Sequence, residues 1–436
     1  MPDETPIDLE EYRGLHPADL ADRLQRLPIE SAQAVFHQLE HALAAGALAE
    51  MEPDKAGELL QTLSTGQIVK LFQELADNAV ADLAASLPPD RRHAVLTGLP
   101  EQKARAITGL LAYPPDTAGG IMSDRFIAIR PEQTVGECHE TLRARAEPAS
   151  DEVSYLYVTD DHHRLVGILP LRDLVFRRPE RRIADIMNPQ VKVLRVNADQ
   201  EEIAREFEHY HYLALPVVDE TGRLRGIVRA SDALDIARAE ATEDMQLMVG
   251  LSGEERALTP WRKSIGRRLP WLYINLLTAF AAAAVVGVFE STIAKWTALA
   301  IFLPIIAGQG GNAAMQTLTI IVRDMALGEL SPGDGRKALA KEMTLGLING
   351  LAVGLVVGLV GYCWKGSLTL GIVAMVAMVL NQLAAALSGV AIPFGLKALK
   401  IDPALASSIF VTTVTDVAGF FFFLGLAMLA LRWAGG

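Results

Sequence analysis

Five long apolar segments fill the C-terminal part of the chain, at about residues 270–289, 297–322, 344–364, 368–396 and 404–431. A membrane-spanning helix needs about 20 consecutive, mainly apolar residues, and each segment reaches that length. Half of all residues are hydrophobic, which is too apolar for a wholly soluble chain of this size. The sequence therefore predicts an α-helical membrane domain with five transmembrane helices over residues 267–436.

Charge is distributed unequally along the chain. There are 40 basic and 52 acidic residues, and the acidic excess lies in residues 1–270, whose net charge is about −14. Such a surface disfavours nucleic acid and favours metal cations as partners, although a self-repelling soluble surface accounts for part of the imbalance. We therefore expect a soluble half that binds cations and no nucleic acid.

Two further features bear on the compartment. The two cysteines, Cys138 and Cys363, lie in different predicted regions, so neither a disulfide nor a thiolate metal site is expected. The first residues, MPDETPIDLEEY, lack the basic and apolar regions of a signal peptide. We therefore expect no cleaved leader.

Residues 1–120 contain an internal repeat rich in Leu and Ala. The segment DLADRLQRLPIESAQAVFHQL from Asp19 aligns with KAGELLQTLSTGQIVKLFQEL from Lys55, and a third copy starts at Val80. Recurrent Leu-Pro steps are expected to end one helix and begin the next. The pattern predicts an all-α superhelical N-terminal domain of stacked short helices.

A second repeat covers residues 121–180 and 181–237, where IMSDRFIAIRPEQTVGECHETL is echoed by IMNPQVKVLRVNADQEEIAREF. In each copy a helix lies between short β-runs, and a strand, an acidic turn and another strand lead into a helix opened by Asp173 or Asp232. This resembles a tandem pair of cystathionine-β-synthase (CBS) domains, which are α/β sensory modules. The resemblance places Asp173 and Asp232 near ATP, another adenosine nucleotide or a different ligand, while helix N-capping explains them equally well.

Residues 238–266 join the soluble part to the first apolar segment and are predicted to form a connecting helix. Acidic residues lie at Glu240, Glu243 and Asp244. A basic cluster follows directly before the membrane, at Arg262, Lys263, Arg267 and Arg268. By the positive-inside rule, the N-terminus is cytoplasmic and, with five spans, the C-terminus is outside.

One carboxylate, Asp416, lies near the middle of the fifth apolar segment. Thr412 and Ser408 precede it at intervals of one helical turn, so the three side chains form a polar stripe. An acid at this depth costs about 2.5–3.5 kcal/mol on insertion scales and usually faces a pathway or a partner. The stripe indicates either a binding point for a cation that crosses the membrane or an interhelical hydrogen bond from a protonated Asp416.

The second and fourth apolar segments carry amides. Asn312 and Gln316 are one turn apart and follow the Pro- and Gly-rich run PIIAGQGG, so we expect a broken helix that lines protein or water. In the fourth segment Asn381 and Gln382 precede a face of small residues that is typical of close helix packing. Both amide pairs fit pore lining and interhelical hydrogen bonding equally well.

Taken together, the chain resembles the MgtE family of magnesium channels over nearly its whole length. The order of parts agrees: a helical N-terminal domain, two CBS modules, a connecting or plug helix, and five membrane segments. The motifs AEATEDM, VFES, PIIAGQGGN, IDPALAS and TDVAG also agree.

The resemblance implies a homodimeric Mg²⁺ channel of the bacterial inner (plasma) membrane, with Mg²⁺ both conducted and sensed. The residues that it implies for ion conduction are Asp416, Thr412, Ser408, Asn312 and Gln316. Those that it implies for regulatory metal are Glu201, Asp232, Asp235, Glu240, Glu243 and Asp244.

The chain departs from the family pattern at three positions. Ser408 and Met315 stand where we expect Asn, which leaves pore selectivity open. His211 stands where an acidic metal ligand is expected, which leaves the number and pH dependence of the regulatory sites open.

Other functions remain to be weighed. Asp416 would also suit a Co²⁺ or Mn²⁺ route, or a carrier coupled to protons or sodium. A membrane-anchored nucleotide sensor would need one span rather than five with a central acid. An enzyme is not expected, because the sequence offers no set of nucleophile and base, no phosphate loop and no closed metal cluster.

Overall fold

A computed structural model of the chain describes residue 12 and residues 14–149, 153–253, 255–257, 259–405 and 407–434. The N-terminal stretch in which we expect no signal peptide lies outside the described residues, apart from Tyr12. The chain forms two compact units, residues 1–237 and residues 238–436.

Short helices build the first half of the first unit. They are α1 (Pro17–Leu24), α2 (Ile29–Phe36), α3 (His41–Glu50), α4 (Pro53–Thr62), α5 (Thr65–Glu74), α6 (Asp77–Ala85), α7 (Pro89–Gly98) and α8 (Glu101–Leu110). The predicted Leu-Pro steps precede α2, α7 and α8, and each of these prolines is the N-cap residue. Helices of this length are marginal alone, so their stability comes from the faces that bury Leu24, Leu59, Leu60 and Phe72.

The repeat over residues 121–237 forms two similar α/β copies. After a short helix α9 (Ala118–Ile121), the elements are β1 (Ile127–Ile129), α10 (Val135–Ala149), β2 (Tyr155–Thr159), β3 (Leu165–Pro170), α11 (Leu171–Val175), β4 (Leu194–Arg195), α12 (Gln200–Tyr210), β5 (Ala214–Val218) and β6 (Leu224–Arg229). In each sheet the first strand pairs parallel with the second, and the second pairs antiparallel with the third. The two hairpin turns also meet each other, through an antiparallel bridge between Arg164 and Arg223.

The helical repeat and the second α/β copy share one hydrophobic core. Leu194, Ile203 and Val228 belong to the same buried cluster as the repeat helices. The backbone N–H of Ala118 donates to the carbonyl of Ala198 at 2.8 Å, and the guanidinium of Arg125 donates to the carbonyl of Leu75 at 3.2 Å. The repeat helices and the second copy are therefore packed together within the first unit.

Helix α13 (Ala230–Met248) runs from the second copy through the start of the predicted connection. A connecting helix over all of residues 238–266 is wrong in extent, because the described residues between 249 and 260 are not helical and the next helix begins at Trp261. Gly250 and Gly253 adopt left-handed φ angles of 76° and 75°, which end a helix readily.

The remaining helices belong to the second unit. They are α14 (Trp261–Val288), α15 (Glu290–Lys295), α16 (Leu299–Ala326), α17 (Gly335–Lys365), α18 (Leu368–Ala398) and α19 (Ser407–Ala434). Among the described residues, α14, α17, α18 and α19 are the four helices long and apolar enough to cross a membrane. Helix α16 has the length, but its amides and glycines dilute its apolar character, so the fifth span stays a prediction.

The predicted break in the second apolar segment is wrong, because α16 is continuous and contains Pro304 in its interior. One proline removes a single backbone donor, and packing against neighbouring helices offsets the weak helical preference of the glycines. The side-chain amide of Asn381 on α18 donates to the carbonyl of Ile306 at 2.8 Å, directly before the glycine-rich run. Propensity is therefore overridden here by tertiary contact.

Glycines set the distance between α17 and α18. Gly346, Gly350, Gly354 and Gly358 recur every four residues and face α18. A Cβ at Gly354 would lie 2.8 Å from the carbonyl oxygen of Met375, so these two backbones approach as closely as glycine permits.

Candidate functional site

The polar stripe of α19 is half-buried. Ser408, Thr412 and Asp416 all have intermediate exposure, and the hydroxyl of Thr412 donates to the carbonyl of Ser408 at 2.7 Å. Within the part of the chain that the structure describes, Asp416 makes no hydrogen bond and no ion pair. Within one described chain the carboxylate therefore forms no interhelical hydrogen bond, and it is available to a cation.

One face of α16 is polar and exposed. Asn312 and Gln316 are exposed and one turn apart, and Gln309, which sequence reasoning did not single out, is exposed on the same face. The opposite face of α16 buries Ala314 and Leu318. Gln309 lies three residues before Asn312, and this helical spacing is the signal by which the sequence could have identified it.

The stripe of α19 lies against α16. The methyl group of Thr412 would be 3.9 Å from a Cβ at Gly311, the residue directly before Asn312. The two helices with polar residues are thus neighbours in one chain. No group of three or more His, Cys, Asp or Glu side chains that could hold a metal occurs among the residues described, so one chain alone supplies a single acid here.

The amides of the fourth apolar segment are buried. Asn381 is fully buried and Gln382 is 3 % exposed, and Asn381 contacts both α16 and α19. The structure thus separates two amide pairs that look alike in the sequence. Asn312 and Gln316 face outward, whereas Asn381 joins helices.

A buried carboxylate, Glu342, was missed because it lies just before the third apolar segment. It accepts a hydrogen bond from the hydroxyl of Thr317 at 2.9 Å, and the ammonium of Lys341 lies 3.1 Å from its other oxygen. With 5 % exposure, it ties α17 to α16 one residue beyond Gln316.

The end of α13 packs beside the two polar helices. Leu247 and Met248 contact the buried cluster that includes Leu318 of α16 and Val411 of α19. A displacement of this end of α13 would therefore change the packing of both helices.

The segment after α13 is held in place by polar contacts. The side-chain amide of Gln246 donates to the carbonyl of Glu255 at 2.8 Å and accepts from its N–H at 3.0 Å. The carboxylate of Glu255 accepts from Arg268 on α14 at 2.6 and 2.8 Å. The hydrogen bonds from Arg268 and Ser264 hold the pKa of Glu255 below its ordinary value.

Acids of the repeat helices lie near acids of both α/β copies within the first unit. Burial and the charge of Asp232 raise the pKa of Asp82 to about 6, although Asp82 retains exposed surface. Burial and the neighbouring Asp77 also raise the pKa of Asp124. Asp82 could not be identified from the sequence, because a long stretch of chain separates it from Asp232.

The predicted regulatory acids fall into two groups. Glu201, Asp232 and Asp235 belong to the first unit, and Glu240, Glu243 and Asp244 to the second. Glu201 and Asp235 are exposed, whereas the guanidinium of Arg229 donates to Asp232 at 3.1 Å. Their role as metal ligands stays a prediction.

The remaining predicted positions have local structural roles. His211 is the C-cap residue of α12 with a left-handed φ of 53°. Asp232 accepts from the backbone N–H of Arg229 at 3.3 Å, while Asp173 lies in the first turn of α11 and contacts Arg172 at 3.7 Å. These contacts leave nucleotide binding and helix capping both open.

Comparison with known proteins decides the family. Family models match at residues 15–116 (MgtE intracellular N domain), 118–180 and 183–238 (CBS domain), and 303–426 (MgtE, divalent cation transporter). The chain is 38 % identical over 428 residues to the magnesium transporter MgtE of Thermus thermophilus, covering 96 % of this chain and 94 % of the relative. The chain belongs to the MgtE family.

Two further MgtE proteins support this assignment. The magnesium transporter MgtE of Enterococcus faecalis is 34 % identical over 332 residues, which is 76 % of this chain and 73 % of the relative. The crystal structure of the cytosolic domain of the Mg²⁺ channel MgtE in complex with ATP matches with 36 % identity and a TM-score of 0.50. It covers 52 % of this chain and 93 % of that one. The predicted family is confirmed, and so is the fold class of a helical N-terminal domain, a CBS pair and a C-terminal domain of apolar helices. The family is one of transporters.

Proposed function

We propose that this protein is a homodimeric Mg²⁺ channel of the bacterial inner membrane that cytosolic Mg²⁺ closes. One observation carries the proposal: Asp416 is half-buried and, within the described chain, has no partner, on a helix that lies against the outward amide face of α16. Its relatives are magnesium transporters, which supports Mg²⁺ as the conducted ion.

The donor chemistry at this place suits a hard, hydrated cation. Asp416, Thr412, Ser408, Asn312 and Gln316 offer oxygen atoms and no thiolate or imidazole. Mg²⁺ prefers oxygen ligands and keeps several of its waters, whereas softer metals favour sulfur and imidazole. We infer that these side chains contact a largely hydrated Mg²⁺ through its water shell.

The test is flux in liposomes that contain the purified protein and a Mg²⁺ dye. Mg²⁺ should enter down its gradient without a proton or sodium gradient, and Co²⁺ or Mn²⁺ should compete weakly. Uptake that collapses with a proton or sodium ionophore would favour a coupled carrier. No Mg²⁺ uptake by well-folded protein would overturn the channel and favour a membrane-anchored sensor.

A second copy of the chain is needed to enclose the pathway. Exposed amides on α16 are costly against lipid, and a twofold axis beside α16 and α19 would bring two Asp416 carboxylates to one ion. The purified protein should therefore be a dimer in detergent, as measured by light scattering. A monomer that still conducts after reconstitution would contradict this.

Regulation rests on the acidic clusters. The negative charge of Asp232 acts on Asp82, so a cation bound near both would lower their repulsion, and the end of α13 packs beside both polar helices. Cytosolic Mg²⁺ would bind the state in which these acids are closest and so shift the population toward it. In this proposal α13 transmits the shift to α16 and α19.

Nucleotide binding is a separate proposal for the CBS pair. The MgtE cytosolic domain solved with ATP supports it, and Asp173 and Asp232 open equivalent helices in the two copies. ATP should raise the melting temperature of the full-length protein, and Asp173→Ala should reduce that increase. An equal increase in both proteins would favour helix capping as the role of Asp173.

The proposed orientation has the N-terminus in the cytoplasm, five spans and the C-terminus outside. The basic residues at the start of α14 support it by the positive-inside rule. Protease added to the outside of intact cells should leave residues 1–237 uncut. Digestion of these residues would show that the N-terminus is outside and would contradict the proposed orientation.

A further inference from the structure

Asn381 on α18 occupies the place where α16 and α19 come closest to it. The side chain is fully buried, and its amide donates to the carbonyl of Ile306 on α16 at 2.8 Å. A Cβ at Gly310 would overlap the same amide nitrogen, and a Cβ at Gly419 on α19 would lie 2.8 Å from it. One amide therefore fills the space that two glycines leave open on two different helices.

Both glycines lie within a turn of the polar residues of the pathway. Gly310 is two residues before Asn312, and Gly419 is three residues after Asp416. The contact with Asn381 thus fixes how far each helix lies from α18, and the need for glycine at both positions fixes the rotation of each helix. A change of either would move the carboxylate of Asp416 relative to the amides of α16.

The hydrogen bond to Ile306 has a further local effect. Glycines weaken a helix relative to alanine, and the run from Gly308 to Gly311 begins two residues after Ile306. An interhelical hydrogen bond at this carbonyl holds the start of that run in helical geometry. The continuity of α16 through the run is the observed result.

We propose that Asn381 is a positioning residue, which sets the spacing between Asp416 on α19 and the amides of α16 and thereby the selectivity of the pathway. This inference rests on the proposed channel function for its transport consequences. Its geometric content, that Asn381 sets the distance between α16 and α19, does not require transport.

The geometric test uses cysteine cross-linking. Gly311→Cys and Thr412→Cys, in a chain with Cys138→Ala and Cys363→Ser, place two thiols at a contact of about 4 Å between Cβ and methyl positions. With Asn381 present, a mild oxidant should join them rapidly. Asn381→Leu, which keeps the branched shape and removes the amide, should slow the cross-link by about three- to fivefold, the order of one interhelical hydrogen bond.

The transport test is a compensation series. Gly419→Ala should raise the half-saturating Mg²⁺ concentration and weaken discrimination against Co²⁺, because its methyl group displaces the Asn381 amide. Asn381→Ala should restore both quantities only in part in the Gly419→Ala background, because it makes room for that methyl group but removes the hydrogen bond to Ile306. The matched control is Gly425→Ala on the same helix, where a Cβ would lie 3.9 Å from the ring of Phe289. This variant should change neither quantity.

The outcomes separate the two ideas. Equal cross-linking rates for Asn381 and Asn381→Leu would overturn the inference even if the protein conducts Mg²⁺. A loss of maximal flux in Asn381→Leu with unchanged half-saturation and selectivity would also overturn it, since that pattern reports folding yield. Absence of Mg²⁺ flux in the unaltered protein would overturn the proposed function, while the cross-linking rate would still decide the role of Asn381 in helix spacing.

Discussion

Asp416→Ala should reduce Mg²⁺ flux by at least about a hundredfold, while the protein still folds and dimerises. The carboxylate attracts a divalent ion in a partly desolvated place, where even two unit charges at 4 Å interact by about 4 kcal/mol at an effective dielectric constant of 20. A hundredfold loss of flux corresponds to about 2.7 kcal/mol, which is less than this interaction energy. The measurement is the initial rate of dye-reported Mg²⁺ entry into liposomes.

Two further variants test whether the loss of flux is specific to the charge of Asp416. Asp416→Asn keeps the shape and removes the charge, so it should lose nearly as much flux as Asp416→Ala. The matched control is Glu329→Gln, which removes an exposed acid of the same unit that lies outside its helices, and it should stay within about twofold of the unaltered rate. Near-normal uptake by Asp416→Ala would refute the assignment of the ion site.

The prominence of Asp416 in the sequence has a simple physical basis. An acid inside an apolar segment is expensive, so its presence alone indicates a special role. The same holds in weaker form for Asn312 and Gln316. The helical repeat and the two α/β copies were also predictable, because hydrophobic spacing and turn residues recur in register.

What the sequence could not predict depends on which side chains meet in three dimensions. Asn381 and Gln316 are both amides in apolar segments, yet one is buried between helices and the other is exposed. Glu342 accepts a hydrogen bond from Thr317 across a helix contact, and the charge of Asp232 raises the pKa of Asp82, which is far away in the sequence. No periodic pattern in the sequence predicts either of these interactions.

The continuity of α16 shows the limit of local preference. Pro304 and the following glycines predicted a break, because each is unfavourable in a helix interior. Burial of one face and the hydrogen bond from Asn381 outweigh that preference. Local propensity is a weak guide wherever tertiary packing supplies a partner for the backbone.

Removing the three acids of α13 should largely abolish closure by Mg²⁺. The variant is Glu240→Ala/Glu243→Ala/Asp244→Ala. If these carboxylates bind the ion in the closed state, their loss removes the higher metal affinity of that state, and linkage then requires that Mg²⁺ no longer favours it. Each carboxylate that contacts the ion attracts it by about 1 to 4 kcal/mol or more, depending on the dielectric constant, so we expect the Mg²⁺ concentration for half-closure to rise more than tenfold.

The readouts are protease protection of the full-length protein across a Mg²⁺ titration and flux at high internal Mg²⁺. In the unaltered protein, protection should rise and flux should fall as Mg²⁺ increases. In the triple variant both curves should flatten. Loss of the Glu243 side chain should also change the packing of the segment after α13, because Glu243 lies against Gly253. A Cβ at Gly253 would lie 2.7 Å from Cγ of Glu243.

The essential control removes the same charge elsewhere. Glu50, Glu132 and Glu220 are exposed, and the structure shows no side-chain partner for any of them among the residues described. Their triple Ala variant loses three negative charges from the soluble half as well. If closure depends only on the overall charge of that half, both triple variants will shift the Mg²⁺ titration equally. If the acids of α13 bind the ion, the control will titrate like the unaltered protein, because exposed charges farther apart than about 8–10 Å are largely screened at physiological ionic strength.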